Sequence, residues 1–197
     1  MVPRAALAPT ALTCVAVTLA TYEMFREHIP GTGPWRGAYH SQPQFKGAPD
    51  IIRDQDIDFN WGRKSPAPEI PNDKISIRWD SCLTLEEDQT TAFQLVANDG
   101  ARLFVDDKLV VDIWKEKPRK KADRKKKTRK LDRLSGGAEV RLEAGQHRLR
   151  VEYRENVGPA RVQLLASFGL TDPPSPISAD LLTYPGDHPD WKTYCRD

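Results

Sequence analysis

The chain has 197 residues, 39% of them hydrophobic, with Lys+Arg 30 against Asp+Glu 28 and a formal net charge of +2. That is room for one domain of ordinary size with some chain outside it, and the overall charge names no partner. The balance hides a segregation. Lys115–Arg133 holds eight Lys and four Arg against Glu116, Asp123 and Asp132, a net of +9, so the rest of the chain carries −7. Three cysteines, Cys14, Cys82 and Cys195, match no metal spacing and are too few for a disulfide scaffold. With Cys14 in a leader, Cys82–Cys195 is the one candidate pair. Free thiols are the alternative, and the count leaves the redox compartment open.

In chain order, Ala5–Tyr22 is an uncharged run of 18 residues behind Arg4. It is Ala-rich, contains Pro9 and four Thr, and falls just short of the roughly 20 apolar residues a membrane-spanning helix wants. Small residues near Thr18-Leu19-Ala20 also suit a secretory signal. Residues 1–22 are therefore read as a signal peptide or membrane anchor, and 23–34, with its Pro/Gly punctuation, as a linker. The bland alternative is an N-terminal tail of a cytosolic protein. An anchor would place the domain on the far side of a membrane, because the positive end stays inside.

Beyond the linker the chain reads as strands. Ile75–Trp79, Phe93–Leu95, Val140–Leu142, His147–Arg154 and Ala160–Leu164 alternate apolar and polar residues, with Leu149, Val151 and Tyr153 on one face. Turn signals separate the runs at Asn98-Asp99-Gly100, Asp106-Asp107, Ala144-Gly145 and Val157-Gly158-Pro159. Such runs predict an all-β fold, an antiparallel two-sheet sandwich or barrel with one face of each sheet buried and one wetted. Five prolines between Thr171 and Asp197 make the end an extended tail, predicted to lie along the domain through Ile177, Leu181 and Leu182.

Several blocks carry a resemblance in order: Trp35–Tyr39, Ile57–Gly62, Ser65–Pro71, Ile75–Trp79, Asn98–Asp106, Leu109–Trp114, Leu142–His147 and Val151–Tyr153. Together they resemble the protective-antigen-fourteen domain, the module of anthrax protective antigen, yeast adhesins and many bacterial glycosidases. The likeness covers about 35–182, with 115–133 as an insertion and 183–197 as a tail. It implies a β-sandwich that binds carbohydrate or serves adhesion without catalysis. In the adhesin branch two adjacent aspartates joined by a cis peptide hold a calcium ion that in turn coordinates sugar hydroxyls. This sequence has Asn98-Asp99 there, so one carboxylate is an amide.

Calcium takes 6–8 oxygens and binds more tightly as ligand charge rises, so the amide weakens the site. Asn98 and Asp99 are the candidate ligands for sugar and ion, Asp112 a further candidate for the ion, and Trp114 a candidate ring for stacking on sugar. The competing reading is a plain turn, because Asn, Asp and Gly all tolerate positive φ. Asp106-Asp107 is read as a turn. Trp61 and Trp79 are assigned to the core, which also competes for Trp114, and Trp35 to the start of the first strand.

The basic insertion is longer and more charged than the family's usual loop. Lys120, Lys121, Arg124, Lys125, Lys126, Lys127, Arg129 and Lys130 would draw a polyanion, an acidic polysaccharide or an anionic membrane surface, with salt-sensitive affinity. The run has no aromatic residue for base stacking, so specific nucleic-acid recognition is not expected. A solvated loop without a partner is the alternative. The four histidines are isolated, His147 on a polar strand face, and neither a zinc pattern nor a Gly-x-Ser-x-Gly elbow is present. The expectation is a non-enzyme, exported and displayed at a membrane, in the periplasm or on the cell surface, that binds glycan. The competing expectation is a structural or protein-docking module.

Overall fold

The structure, a computed structural model, describes residues 32–114, 134–170, 172–186 and 195. The leader and the basic insertion lie outside the described residues. Eleven strands are described: β1 (Trp35–His40), β2 (Asp50–Asp54), β3 (Asp58–Gly62), β4 (Ile75–Leu85), β5 (Gln89–Asn98), β6 (Gly100–Val105), β7 (Lys108–Asp112), β8 (Leu134–Leu142), β9 (Gly145–Glu155), β10 (Ala160–Phe168) and β11 (Leu182–Thr183). They form two sheets in the orders β2-β1-β4-β9-β6-β7, with β11 also on β4, and β3-β10-β5-β8. Every pairing is antiparallel.

The core lies between the sheets, where the period-2 alternation puts it. Ile75, Ile77 and Trp79 of β4, Leu149, Val151 and Tyr153 of β9, and Leu103 of β6 meet Phe93 and Leu95 of β5 and Val162 and Leu164 of β10. An aromatic column runs through it, Trp61 stacked on Phe59 at 4.7 Å and Phe59 on Trp79 at 5.7 Å. Trp79 is fully buried, whereas Trp61 is partly buried against the core. Inside this face the Asp54 carboxylate accepts hydrogen bonds from Trp79 Nε1 at 2.8 Å and Tyr39 OH at 2.9 Å. Burial nevertheless pushes its carboxyl up to about 6, aided by the Asp56 charge.

The expectation of a wetted second face does not hold for the large sheet. Its outer face is covered. Register sets Arg78 and Arg102 on either side of Glu152, which accepts from Arg78 at 2.9 Å and from Arg102 at 2.6 Å. One row along, Asp80, 1% exposed, accepts from Arg150 Nε at 3.0 Å. Burial raises the Asp80 carboxyl to about 6 against the pull of Arg150, Arg78 and Arg36. Phe45, from a single 3-10 turn (Pro43–Phe45), lies on the Arg78 guanidinium, and Trp114 lies on those of Arg102 and Arg154. Arginine partners in register offset part of the desolvation of these carboxylates; at Asp80 burial outweighs them, and among the described residues its Oδ2 has no hydrogen-bond partner.

Cys82, on the same face, is bonded to Cys195, so of the two states left open the disulfide is the one formed. The Asp106-Asp107 turn is as expected, both residues at positive φ (48° and 65°). His147, in β9, bonds Asp106 at 2.7 Å and the Glu143 carbonyl at 2.8 Å. The tail buries Ile177 and Leu182 as expected. Ser81 Oγ donates towards the carbonyls of Pro34 (3.0 Å) and Thr183 (3.3 Å), so the first and last parts of the sandwich meet at one hydroxyl.

Candidate functional site

One rim of the sandwich gathers three chain reversals: the Asn98-Asp99-Gly100 turn between β5 and β6, the hairpin from Glu155 to Ala160 between β9 and β10, and Asp73-Lys74 just before β4. Asn98 ends β5 opposite Arg161, and the Asn98–Asp99 peptide is cis. Gly100 is obligatory in its place, because a Cβ there would stand 2.8 Å from the Trp114 carbonyl oxygen and 3.0 Å from Arg154 Nε.

The turn is tied to the hairpin through Asn98 and Asp99. Asn98 Nδ2 donates to the Pro159 carbonyl at 2.6 Å, and Asn156 N donates to Asp99 Oδ2 at 2.6 Å. Gly158 N donates to Asp73 Oδ1 at 3.0 Å, and Lys74 N to the Asn156 carbonyl at 2.9 Å. From below, Tyr153 OH lies 2.8 Å from the Asn98 carbonyl oxygen and 3.1 Å from Glu155 Oε2. These bonds use one side-chain atom each of Asn98 and Asp99. They leave Asn98 Oδ1 and Asp99 Oδ1 as oxygen acceptors on the rim.

The electrostatics are acidic. Glu155 is 2% exposed, among the described residues its Oε1 has no hydrogen-bond partner, and its carboxyl is pushed up to about 7. Burial is the main cause, followed by the charge of Asp99, with Asp73 adding to it. Burial and the Glu155 charge likewise hold the Tyr153 phenol neutral. Val157, 62% exposed at the hairpin tip, adds an apolar contact to this polar rim. Oxygen acceptors beside an exposed aliphatic group suit a polyhydroxylated ligand, which presents both hydroxyls and C–H faces.

Of the residues singled out from sequence, Asn98 and Asp99 sit together on this rim. Asp112 is elsewhere engaged: its Oδ1 accepts from Trp114 N at 2.9 Å, and it stands opposite Arg102 at the end of β7. Trp114 lies over the outer face of the large sheet, its ring centroid 4.2 Å from the Arg102 guanidinium and 5.0 Å from that of Arg154. Its carbonyl, which accepts from Arg154 at 2.6 Å, reaches back to Gly100. Among the described residues no three His, Cys, Asp or Glu side chains gather into a group able to hold a metal ion. Lys120, Lys121, Arg124, Lys125, Lys126, Lys127, Arg129 and Lys130 lie outside the described residues, as does the leader. Among the described residues no helix is long and apolar enough to cross a membrane.

Sequence reasoning missed Glu155, Asn156 and Asp73. A signal for Glu155 was present. It continues the Leu149, Val151, Tyr153 alternation and so falls on the apolar face, where a carboxylate is out of place.

Two antiparallel sheets with a rim of polar reversals at one end define a β-sandwich domain. The chain belongs to the PA14 domain family, which it matches over residues 32–180. It is similar to the anti-sigma-I factor RsgI3 of Acetivibrio thermocellus, 30% identical over 139 residues, 70% of this chain and 19% of that protein. A solved anti-sigma factor domain-containing protein is 29% identical with a TM-score of 0.65, over 79% of this chain and 48% of that one. A second, from Clostridium clariflavum, is 28% identical with a TM-score of 0.61, over 75% of this chain and 46% of that one. The chain thus spans less than half the length of these relatives. A PA14 sugar-binding domain from an RTX adhesin, 14% identical with a TM-score of 0.57, covers 76% of this chain with 97% of its own and shares the fold.

Proposed function

We propose that this chain is a non-catalytic carbohydrate-binding module displayed outside the cytoplasm, and that the Asn98–Asp99 rim is its glycan site. The observation that carries the reading is the pair of side-chain oxygens, Asn98 Oδ1 and Asp99 Oδ1, left on a rim whose other atoms are fixed by the Glu155–Ala160 hairpin. The fold shared with a sugar-binding PA14 domain supports it. Calcium would bridge these oxygens to sugar hydroxyls, weakly, because the site holds an amide where a second carboxylate would add charge. A shallow site of few contacts binds weakly and gains from clustering. Export is supported by the Cys82–Cys195 disulfide, since such bonds persist in oxidising compartments. The uncharged run Ala5–Tyr22 would supply the signal or the membrane tether.

A glycan array probed with and without chelator tests the reading. Retention on a defined glycan class, lost in the Asp99→Asn variant, is the expected result. A blank array in both conditions would remove it.

The relatives favour a second reading, since they are named for anti-sigma factors. The module would then serve a regulatory protein and dock a protein partner, with Lys115–Arg133 holding a polyanion or anionic surface. A protein that co-purifies without any glycan retention would select this reading, and salt-sensitive elution from a sulfated matrix would report the basic run.

A further inference from the structure

The end of the sandwich remote from Asn98 carries a cleft of about 540 Å³. The poles are fixed by register: β8 sets Leu134 opposite Ala97 at the Asn98 end, and Leu142 opposite Gln89 at the other. Leu85, Phe168 and Leu181 give the cleft an apolar lining, and Glu86, Glu87 and Gln89 a polar one. Among the described residues no Lys or Arg lines it. Asp88, next along, is engaged by Ala144 N and Arg141, whereas the exposed Glu86 and Glu87 have no hydrogen bond or ion pair among the described residues.

We propose that this cleft docks the Lys115–Arg133 run of a second copy of the chain. An apolar lining with carboxylates beside it fits a long aliphatic stem ending in a cation, the shape of Lys and Arg. The run supplies eight Lys and four Arg at a net +9, and the remaining chain is acidic by 7 charges. The basic run and the acidic cleft are therefore complementary in charge. The described residues that flank the run, Trp114, whose carbonyl reaches Gly100, and Leu134, opposite Ala97, both belong to the Asn98 pole.

Geometry favours a second copy over the chain's own cleft. β8, nine residues long, separates the poles by about 26 Å at 3.3 Å per residue. A loop of 19 residues that must go out and come back reaches about 30 Å only when drawn taut. Spanning out to its own cleft and back would need these 19 residues close to full extension, and a neighbour's cleft requires no such stretch. The contact is head-to-tail, so it repeats into open chains rather than closing as a two-fold dimer.

Sedimentation velocity of the chain across a concentration series, at low and at high salt, tests the proposal. The expected result is mass rising with concentration at low salt and weakening about tenfold or more at high salt, as screened ionic contacts do. Association driven by the apolar leader would instead strengthen with salt. The Glu86→Lys/Glu87→Lys variant changes two exposed residues, keeps the fold by circular dichroism, and should remain monomeric. A synthetic 115–133 peptide should dissociate the wild-type assemblies. A monomer at every concentration, or a variant that associates like the wild type, overturns the proposal.

Discussion

Asn98 is the residue at which one atom sets the chemistry of the rim. Its Nδ2 donates to Pro159, so Asn98→Asp both adds a charge and faces that carbonyl with an acceptor. The variant should lose about 1–3 kcal/mol without calcium. Calcium should restore part of that loss, because the second carboxylate raises affinity for the ion. Thermal unfolding with and without the ion measures both effects. Asp99→Asn is the complement. It keeps an acceptor for Asn156 N, so stability should change by less than about 0.5 kcal/mol while ion binding, read by calorimetry, falls. Away from the rim, Asp54 predicts a pH effect of defined sign. Its carboxyl titrates near 6 in the fold and near its ordinary 3.8 when unfolded, so the native state holds the proton more tightly. The stability it contributes is fully present below about 4 and lost as pH rises to about 6. Asp54→Asn, which can still accept from Trp79 and Tyr39, should flatten that part of the wild-type profile. Urea unfolding at pH 4, 5, 6 and 7 gives the difference curve, and a steeper slope in the variant would refute the assignment.

The strands were legible because each buries one face: Leu149, Val151 and Tyr153 announce β9 from sequence alone. The outer face of the large sheet was not legible, because its order comes from pairing. Arg78 and Glu152 are 74 residues apart and meet only through the β4–β9 register. A local pattern of Arg and Glu reads the same whether water or a partner ion satisfies it. The candidate rim was half legible for the same reason. Asn98 and Asp99 adjoin in sequence, whereas Asp73 and Asn156 reach them through the folding of separate hairpins. Trp114 marks the boundary between the two kinds of knowledge. Its ring contacts Arg102 and Arg154, so Trp114→Ala should cost about 1–2 kcal/mol through two lost cation–ring contacts. Glycan retention should be unchanged if that packing is its whole role, and lost if the ring also stacks on sugar. Chemical denaturation and the array separate the two.

At the scale of the whole molecule, the Cys82–Cys195 bond joins positions 113 apart and ties Cys195 to strand β4. Cys82→Ser/Cys195→Ser should lower unfolding free energy by about 2–4 kcal/mol through a less restricted unfolded chain. Urea unfolding of the variant against the oxidised wild type checks this, and equal midpoints would show that the tail is held by other contacts. The shared hydroxyl of Ser81 has a mechanical consequence. Because Pro34 and Thr183 converge on it, tension applied between the chain's two flanks is borne at β1, β4 and β11, beside the sulfur bridge. The Asn98 rim lies off that line of force, so tension between the flanks would leave the rim's geometry undisturbed.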